Sequence, residues 1–476
     1  PEISGVDLFG DRHAMRPIRD VEEIYEALDD RVMAGFGGVA EYGITVRWNK
    51  NFLKLIRLQL ERRNSFRMIG GVRFGGTLTI EGAFTHGFDH IAYCAGAGRP
   101  TYIDMPNALA RGVRMASDFL MALQLTGAAR EASIANLQLR LPAVVIGGGL
   151  TAIDTATEAL AYYPVQVEKF LSRFEALAAE QGENAVRAGW SAEEQEVGDT
   201  FLNHGRAIRV ERTAAQDEGR ESDVLGLMKS WGGVTMAYRR GLEEAPSYRL
   251  NHEEVALAME EGIHIAPGLS PARIDVDSHG HAEAIHMTDS EGNTLVLPAR
   301  AVLVAAGTQP NTVLAREDTE HLGLDGKFFQ AFDLDGNPVE PERSAKPADT
   351  HVLMHLADDG RAVSFHGDLH PSFAGNVVKA MGGAKRAYPV ISDVVARLGE
   401  TGKRDNAAFL AMLNDRLVAR VVAVERLTPT IVEVVVEAPE AASMFHPGQF
   451  YRLQNFESRA PKGTDGTLLA MEPLAM

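Results

Sequence analysis

The sequence predicts an α/β fold with parallel sheets, followed by a smaller all-β module. Three observations lead to this prediction. Apolar strands alternate with helical segments from about residue 88 to residue 398. The apolar strand 141–146 leads directly into a glycine-rich turn, 147–152, and then into a helix. After Lys403 the chain changes character, and β-branched runs dominate residues 421–437.

Length and composition set limits on function. The chain has 476 residues and a net charge of −18, which argues against nucleic acid or an anionic membrane as a partner. The chain has one cysteine, so neither a disulfide framework nor a four-thiolate iron–sulfur site is possible within it. This residue, Cys94, lies in an apolar run and is expected in the core. No run of about 18 apolar residues and no signal peptide is found, which predicts a cytoplasmic protein.

The turn Gly147-Gly-Gly-Leu-Thr-Ala152 has the Gly-x-Gly-x-x-Ala pattern of a dinucleotide-binding unit. In such a unit Gly147 permits the tight turn and Gly149 lets the backbone approach a pyrophosphate. Ala152 lets helix and strand pack closely, while Leu150 and Thr151 open a helix whose free N–H groups attract the anion. The alternative interpretation is a glycine-rich strand–helix turn without a ligand.

The second strand of this unit, Val234–Tyr238, ends in Arg239 and Arg240 rather than in a carboxylate. Two guanidinium groups suit the 2′-phosphate of NADPH, which favours NADPH over NADH. A solvated strand end is the alternative.

The helix after the turn is predicted to end near Tyr162, which makes residues 164–232 an insertion rich in Glu, Ala and Arg. This insertion is interpreted as a solvated helical hairpin or, alternatively, as a surface that docks a partner.

Glycines end two further strands, one containing Gly96 and the other Gly307, where the backbone can cross close to a bound nucleotide. Asp368 follows Gly367 at another strand end, where a carboxylate can bind a sugar or ribityl hydroxyl, although a Gly-Asp pair is also a common turn. A helix beginning near residues 375–380 would stabilise negative charge on a ring carbonyl.

Catalytic side chains and metal ligands are not recognised in the sequence. No Ser/His/Asp set is present, and the spacing of His366 and His370 does not predict a metal site because Gly367 and Pro371 argue against a shared helix. A hydride transfer needs no protein acid, since the cofactors carry the chemistry.

Taken together, these residues resemble the small (β) subunit of glutamate synthase and its relatives, which are flavoproteins of the pyridine-nucleotide oxidoreductase group. The resemblance implies an NADPH domain inserted into a discontinuous FAD domain. The matching stretches are 37–44, 88–98, 144–154, 234–240, 302–311 and 365–386. It implies FAD near Gly38, Tyr42, Gly43, Arg47, Gly96, Gly367, Asp368, Val377 and Val378, and NADPH at Gly147, Gly149, Leu150, Thr151, Arg239 and Arg240.

The tail from about Arg416 resembles the start of the flavin barrel of ferredoxin–NADP reductases. Pro447-Gly-Gln-Phe450 matches that barrel, whereas its Arg-x-Tyr-Ser/Thr motif is not visible. The predicted domains are residues 1–140 (first part of the FAD domain), 141–305 (NAD(P) domain), 306–403 (second part of the FAD domain) and 411–476 (an incomplete barrel).

Two departures from the family matter. Its first Gly-x-Gly-x-x-Gly should precede Gly35 and is absent, as is its cysteine-rich iron–sulfur module, so we expect a piece of a larger fusion protein.

The function expected is electron transfer from NADPH through FAD to an iron–sulfur centre or partner domain outside this chain. The alternative is a non-catalytic assembly or regulatory subunit that has lost FAD. A thiol-disulfide reductase is argued against by the absence of any Cys-x-x-Cys.

Overall fold

The computed structural model describes residues 14–20, 23, 58–399, 405–453, 460–464, 466–469 and 474–475. The chain forms two compact units. Among the described residues, the first comprises 14–17, 58–99, 308–399 and 405–451, and the second comprises 18–20, 23, 100–307 and the described residues after 451. The second unit therefore interrupts the first in sequence. Residues 100–140, expected in the first domain, group with the second unit.

The strands are short, and most are bounded by glycine or by turns. In chain order they are β1 His90–Tyr93, β2 Arg99–Pro100, β3 Val113–Met115, β4 Ala143–Ile146, β5 Val234–Tyr238, β6 His264–Pro267, β7 Ser270–Val276, β8 Ala282–Thr288, β9 Thr294–Pro298, β10 Ala301–Val304, β11 Thr308–Gln309, β12 Leu324–Asp325, β13 Phe328–Phe329, β14 Ala331–Phe332, β15 Pro338–Val339, β16 Leu353–Leu356, β17 Ala362–Phe365, β18 Arg420–Thr428, β19 Ile431–Glu437, β20 Arg452–Leu453 and β21 Leu474–Ala475.

The helices include three of more than twenty residues. In chain order they are α1 Ile80–His86, α2 Ala116–Leu125, α3 Leu150–Gln181, α4 Glu183–Arg187, α5 Ala192–Glu218, α6 Val224–Ser230, α7 Pro246–Glu260, α8 Leu314–Glu317, α9 Val377–Arg397, α10 Asn406–Leu417 and α11 Pro439–Ser443.

The second unit is built on a five-stranded sheet with the order β3-β10-β4-β5-β6, and every neighbouring pair is parallel. Its two central strands, β4 and β10, are apolar and buried throughout, as a sheet covered on both faces requires. From β4 the chain moves to β5 and β6 on one side, and β10 and β3 lie on the other. This strand order is that of a Rossmann-like sheet, so the predicted α/β class is confirmed.

Helix α3 is much longer than the sequence predicts. It spans 32 residues and passes through Pro164, so the predicted end at Tyr162 is wrong. A proline inside a helix costs about 3 kcal/mol because it removes a backbone donor and crowds the preceding turn. Here Tyr162, Tyr163 and Val167 are completely buried around that proline, and their burial outweighs the local penalty.

The predicted helices of segment 164–232 are present, but they do not form a detached hairpin. Phe201 and Ile208 of α5 are buried in the same apolar core as Val145 of β4. Ion pairs add to this attachment, because Glu196 of α5 contacts Arg140 at 2.8 Å and Arg300 at 3.7 Å. One face of the segment is therefore part of the core, and whether its outer face docks a partner stays a prediction.

The first unit contains a mixed sheet with the order β1-β17-β16-β14-β15. The edge strand β1 pairs in parallel with β17, with Tyr93 opposite Phe365. Phe365 and Phe329 are buried in the core beneath this sheet. Cys94 was expected in a core, but it is exposed because β1 ends one residue earlier.

The C-terminal region includes the antiparallel hairpin β18–β19, whose residues are all exposed. The described residues of 411–476 form two-stranded sheets flanked by short helices, so the complete barrel stays a prediction. Across the described part of the chain, none of the helices combines the length and the apolar character needed to cross a bilayer.

Candidate functional site

The glycine turn of the second unit lies at the carboxyl end of β4, beside the point where the strand order reverses. Its backbone continues the sheet, since the Gly147 N–H donates to the Ala237 carbonyl at 2.9 Å. A Cβ atom on Gly147 would overlap the carbonyl oxygen of Ala305, and one on Gly148 would overlap the ring of Tyr238. Packing therefore requires glycine at both positions, whether or not a ligand binds.

Gly149 is different, because a Cβ atom added there would meet no atom within 4 Å. It is the N-cap of α3 in an extended conformation, and no side chain caps the helix. The N–H groups of Leu150 and Thr151 lie in the first turn, where an α-helix offers no internal partner. Ala152 is completely buried, as close packing of helix on sheet demands. Open space next to free N–H groups fits a pyrophosphate.

Arg239 and Arg240 follow β5, which is the neighbour of β4, and both side chains are exposed. Neither guanidinium makes a hydrogen bond or ion pair with any other described residue. The nearby Glu244 carboxylate is engaged, because it accepts a hydrogen bond from the Gly241 N–H at 3.2 Å. Two unpaired guanidinium groups at this strand end fit a 2′-phosphate.

Gly307 follows β10, the other neighbour of β4, with φ of 97° and open space where a Cβ would lie. Its carbonyl accepts a hydrogen bond from the Thr101 N–H at 2.9 Å. The predicted nucleotide residues therefore all follow three adjacent strands at one edge of the sheet.

Ser247 was missed by the sequence analysis. It is completely buried at the start of α7, and its Oγ and N–H both donate to the Gly148 carbonyl, at 2.9 Å and 3.0 Å. The two residues are far apart in sequence. The only local signal was Pro246, which suits the first turn of a helix but does not indicate a contact with the glycine turn.

The candidate flavin residues that the structure describes, Gly96, Gly367, Asp368, Val377 and Val378, belong to the first unit. Gly38, Tyr42, Gly43 and Arg47 lie outside the described residues. Gly96 and Gly367 follow the paired strands β1 and β17, so both lie at the same edge of that sheet. Both adopt left-handed φ values, 66° and 63°, and the space around Gly96 is open.

Asp368 lies next to the start of α9. Its Oδ1 accepts a hydrogen bond from the Gly375 N–H at 2.8 Å. The helix begins at Val377, and the Asn376 side chain caps it by accepting from the Lys379 N–H at 2.9 Å. Val378 in the first turn is 75% exposed. The structure thus brings Gly367, Asp368 and the α9 N-terminus together, which suits a polar ligand with a partial negative charge.

Three histidines lie close to this region. Burial lowers the pKa of His90, His366 and His370 to about 4, so each is neutral at neutral pH. The Nε2 of His366 is 2.6 Å from the Ser364 Oγ. His370 donates from Nε2 to the His351 carbonyl at 2.8 Å. The described residues contain no group of three or more potential metal ligands.

Comparisons with known proteins give the following results. No family model matches the chain. An uncharacterized protein of Rickettsia prowazekii, RP006, is 33% identical over 468 residues, which are 97% of this chain. The chain spans 58% of the length of that relative.

Several solved structures share a distant likeness. FprA of Mycobacterium tuberculosis in complex with NADPH is 15% identical, with a TM-score of 0.42 over 79% of this chain and 80% of that one. Bacillithiol disulfide reductase YpdA of Bacillus cereus is 14% identical, with a TM-score of 0.31 over 64% and 61%. Thioredoxin reductase of T. acidophilum is 13% identical, with a TM-score of 0.27 over 53% and 52%. The fold described above rests on the strand order of this chain itself.

Proposed function

We propose that this chain is an NADPH-dependent flavin oxidoreductase that binds NADPH on the second unit and FAD on the first. The observation that supports this most strongly is the open space at Gly149. It lies at the uncapped start of α3, and an unpaired arginine pair follows the neighbouring strand. A turn that served only to connect a strand to a helix would need neither feature.

The residues divide the work of binding. The N–H groups of Gly149, Leu150 and Thr151 would hold the pyrophosphate, and Arg239 and Arg240 would hold the 2′-phosphate. On the first unit, Asp368 would accept a hydroxyl hydrogen bond, and the first turn of α9 would stabilise a polarised ring carbonyl. When bound, the two cofactors supply the hydride donor and its acceptor, while the protein orients them.

The electrons are proposed to pass on to an iron–sulfur centre or a partner domain. This part of the proposal is supported by the resemblance to the small subunit of glutamate synthase.

The experiment that tests the nucleotide site is calorimetric titration of the whole chain with NADPH and with NADH. Arg239→Ala and Arg240→Ala should each weaken NADPH binding about tenfold, because each removes a charge-assisted hydrogen bond to phosphate. Binding of NADH should not change. Arg206→Ala is the matched control, since Arg206 is an exposed arginine on α5, away from the sheet edge.

Two results would count against the proposal. Equal losses for NADPH and NADH would show that the arginines do not contact the 2′-phosphate. If the unaltered chain bound neither nucleotide, the site would be refuted, and a non-catalytic assembly or regulatory subunit would become the better interpretation.

A further inference from the structure

We infer that Ser247 is a positioning residue of the nucleotide site, which aims the Gly149 N–H at the bound pyrophosphate. The inference rests on the proposed function. It adds a residue that lies outside the glycine pattern and almost one hundred positions further along the chain. Ser247 itself is completely buried and touches no ligand.

Ser247 holds one atom, the Gly148 carbonyl oxygen, with two donors. The Oγ donates at 2.9 Å and the backbone N–H at 3.0 Å. Ser247 lies in the first turn of α7, which precedes a break in the helix at Asn251. Two hydrogen bonds from one residue therefore fix the direction of this carbonyl.

The direction of the carbonyl determines the direction of the next N–H. Gly148 and Gly149 are joined by a trans peptide bond, and in a trans peptide the C=O and the N–H point to opposite sides of the chain. Because the Gly148 oxygen points into the protein towards Ser247, the Gly149 N–H points away from it. Gly149 also has open space at its own Cβ position, where an added carbon would meet no atom within 4 Å.

This fixing is needed because two successive glycines leave the peptide free to rotate. Glycine allows backbone angles that other residues exclude, so a Gly–Gly peptide held by nothing would sample several orientations. The Tyr238 ring packs against Gly148, and Ser247 forms hydrogen bonds to the Gly148 carbonyl. The N–H donor is thus oriented before the ligand arrives, which reduces the entropy that binding must overcome.

The segment from the end of β5 to the start of α7 serves both proposed phosphate contacts. Arg239 and Arg240 begin this segment, and Ser247 follows its end. The same short segment therefore presents the 2′-phosphate ligands and fixes the pyrophosphate donor.

The test compares two ligands on Ser247→Ala. NADP⁺ contains the pyrophosphate, whereas adenosine 2′-monophosphate contains only the group that Arg239 and Arg240 are proposed to bind. Ser247→Ala should weaken NADP⁺ about tenfold, in the range expected for a lost buried hydrogen bond, and leave adenosine 2′-monophosphate within twofold. Ser247→Thr keeps the hydroxyl and should restore NADP⁺ affinity. Ser230→Ala removes an exposed serine hydroxyl on α6 and is the matched control.

Thermal melting of each variant accompanies the titrations. If Ser247→Thr is too large for the buried position and unfolds, Ser247→Cys, a weaker donor of similar size, should give an intermediate NADP⁺ affinity. Equal loss of both ligands in Ser247→Ala would mean a general structural role and would overturn the inference, as would unchanged NADP⁺ binding. Failure of the unaltered chain to bind either ligand would instead refute the proposed function.

Discussion

At the scale of single residues, the glycines of the turn are required for different reasons. Gly147 is required by the fold, because a side chain there would strike the backbone of Ala305. Gly149 has no such neighbour, and its backbone angles, φ of −93° and ψ of 174°, suit any residue. Its side-chain position is therefore left open for a ligand.

This difference predicts that replacing glycine by alanine affects mainly ligand binding at position 149 and mainly stability at position 147. Gly149→Ala should leave the melting temperature nearly unchanged and weaken NADPH binding at least tenfold, because the new methyl group occupies the pyrophosphate space. Gly147→Ala should lower the free energy of unfolding by about 2 kcal/mol or more, because its Cβ forces the backbone apart. Thermal melting and calorimetric titration measure both. Full NADPH affinity in Gly149→Ala would contradict this assignment.

The sequence alone predicts the site residues whose role depends on residues next to them in the chain. The glycine turn and the arginine pair are recognised because each follows an apolar strand. Ser247 and Tyr238 contact the turn only because β4 and β5 pair, which no local pattern shows. Cys94 was misplaced because an apolar run suggested a longer strand than the four residues that form.

At the scale of elements, α3 shows how burial overrides local propensity. Besides passing through Pro164, the helix carries Lys169, a lysine that is only 5% exposed. The Lys169 ammonium donates to the carbonyls of Ala128, Arg130 and Ala135 at 2.7, 3.2 and 3.1 Å. These bonds hold the loop after α2 against the extension of α3 that the sequence did not predict.

We expect Lys169→Met to lower the free energy of unfolding by about 3 kcal/mol, because methionine fills the space but leaves the buried carbonyls without a donor. Urea denaturation of the whole chain measures the change. Lys229→Met, at an exposed lysine of α6, is the control and should cost less than about 0.5 kcal/mol. Equal stability of the two variants would show that the bonds of Lys169 contribute little.

At the scale of the whole molecule, the alternation of strands and helices predicts the fold class but not the limits of the units. Residues 100–140 join the second unit because β3 pairs with β10 and α2 packs beside the sheet. A strand as short as Val113–Met115 leaves no clear pattern in the sequence. Long-range pairing decides such boundaries.

Stability should decline in mild acid. His90, His366 and His370 have folded pKa values of about 4 against an ordinary value of 6.5, so the unfolded chain binds more protons between these values. The free energy of unfolding therefore falls as the pH drops from 6.5 towards 4, and it is insensitive to these groups above 6.5.

Denaturation at a series of pH values measures this dependence. His366→Gln should reduce its slope by about 1.4 kcal/mol per pH unit, which corresponds to one proton. His279→Gln, at an exposed histidine, is the matched control. A stability independent of pH across this window would contradict the burial of the three imidazoles.

The most direct test of the proposed function is anaerobic addition of NADPH to the chain loaded with FAD. Binding of each cofactor is first measured separately, and the absorbance of oxidised flavin is then followed in a stopped-flow instrument. We predict rapid bleaching of the flavin by NADPH, and much slower bleaching in Gly149→Ala and Arg240→Ala at the same NADPH concentration. Failure to bind FAD, or flavin that stays oxidised while NADPH is bound, would contradict the assignment of this chain as a flavin oxidoreductase.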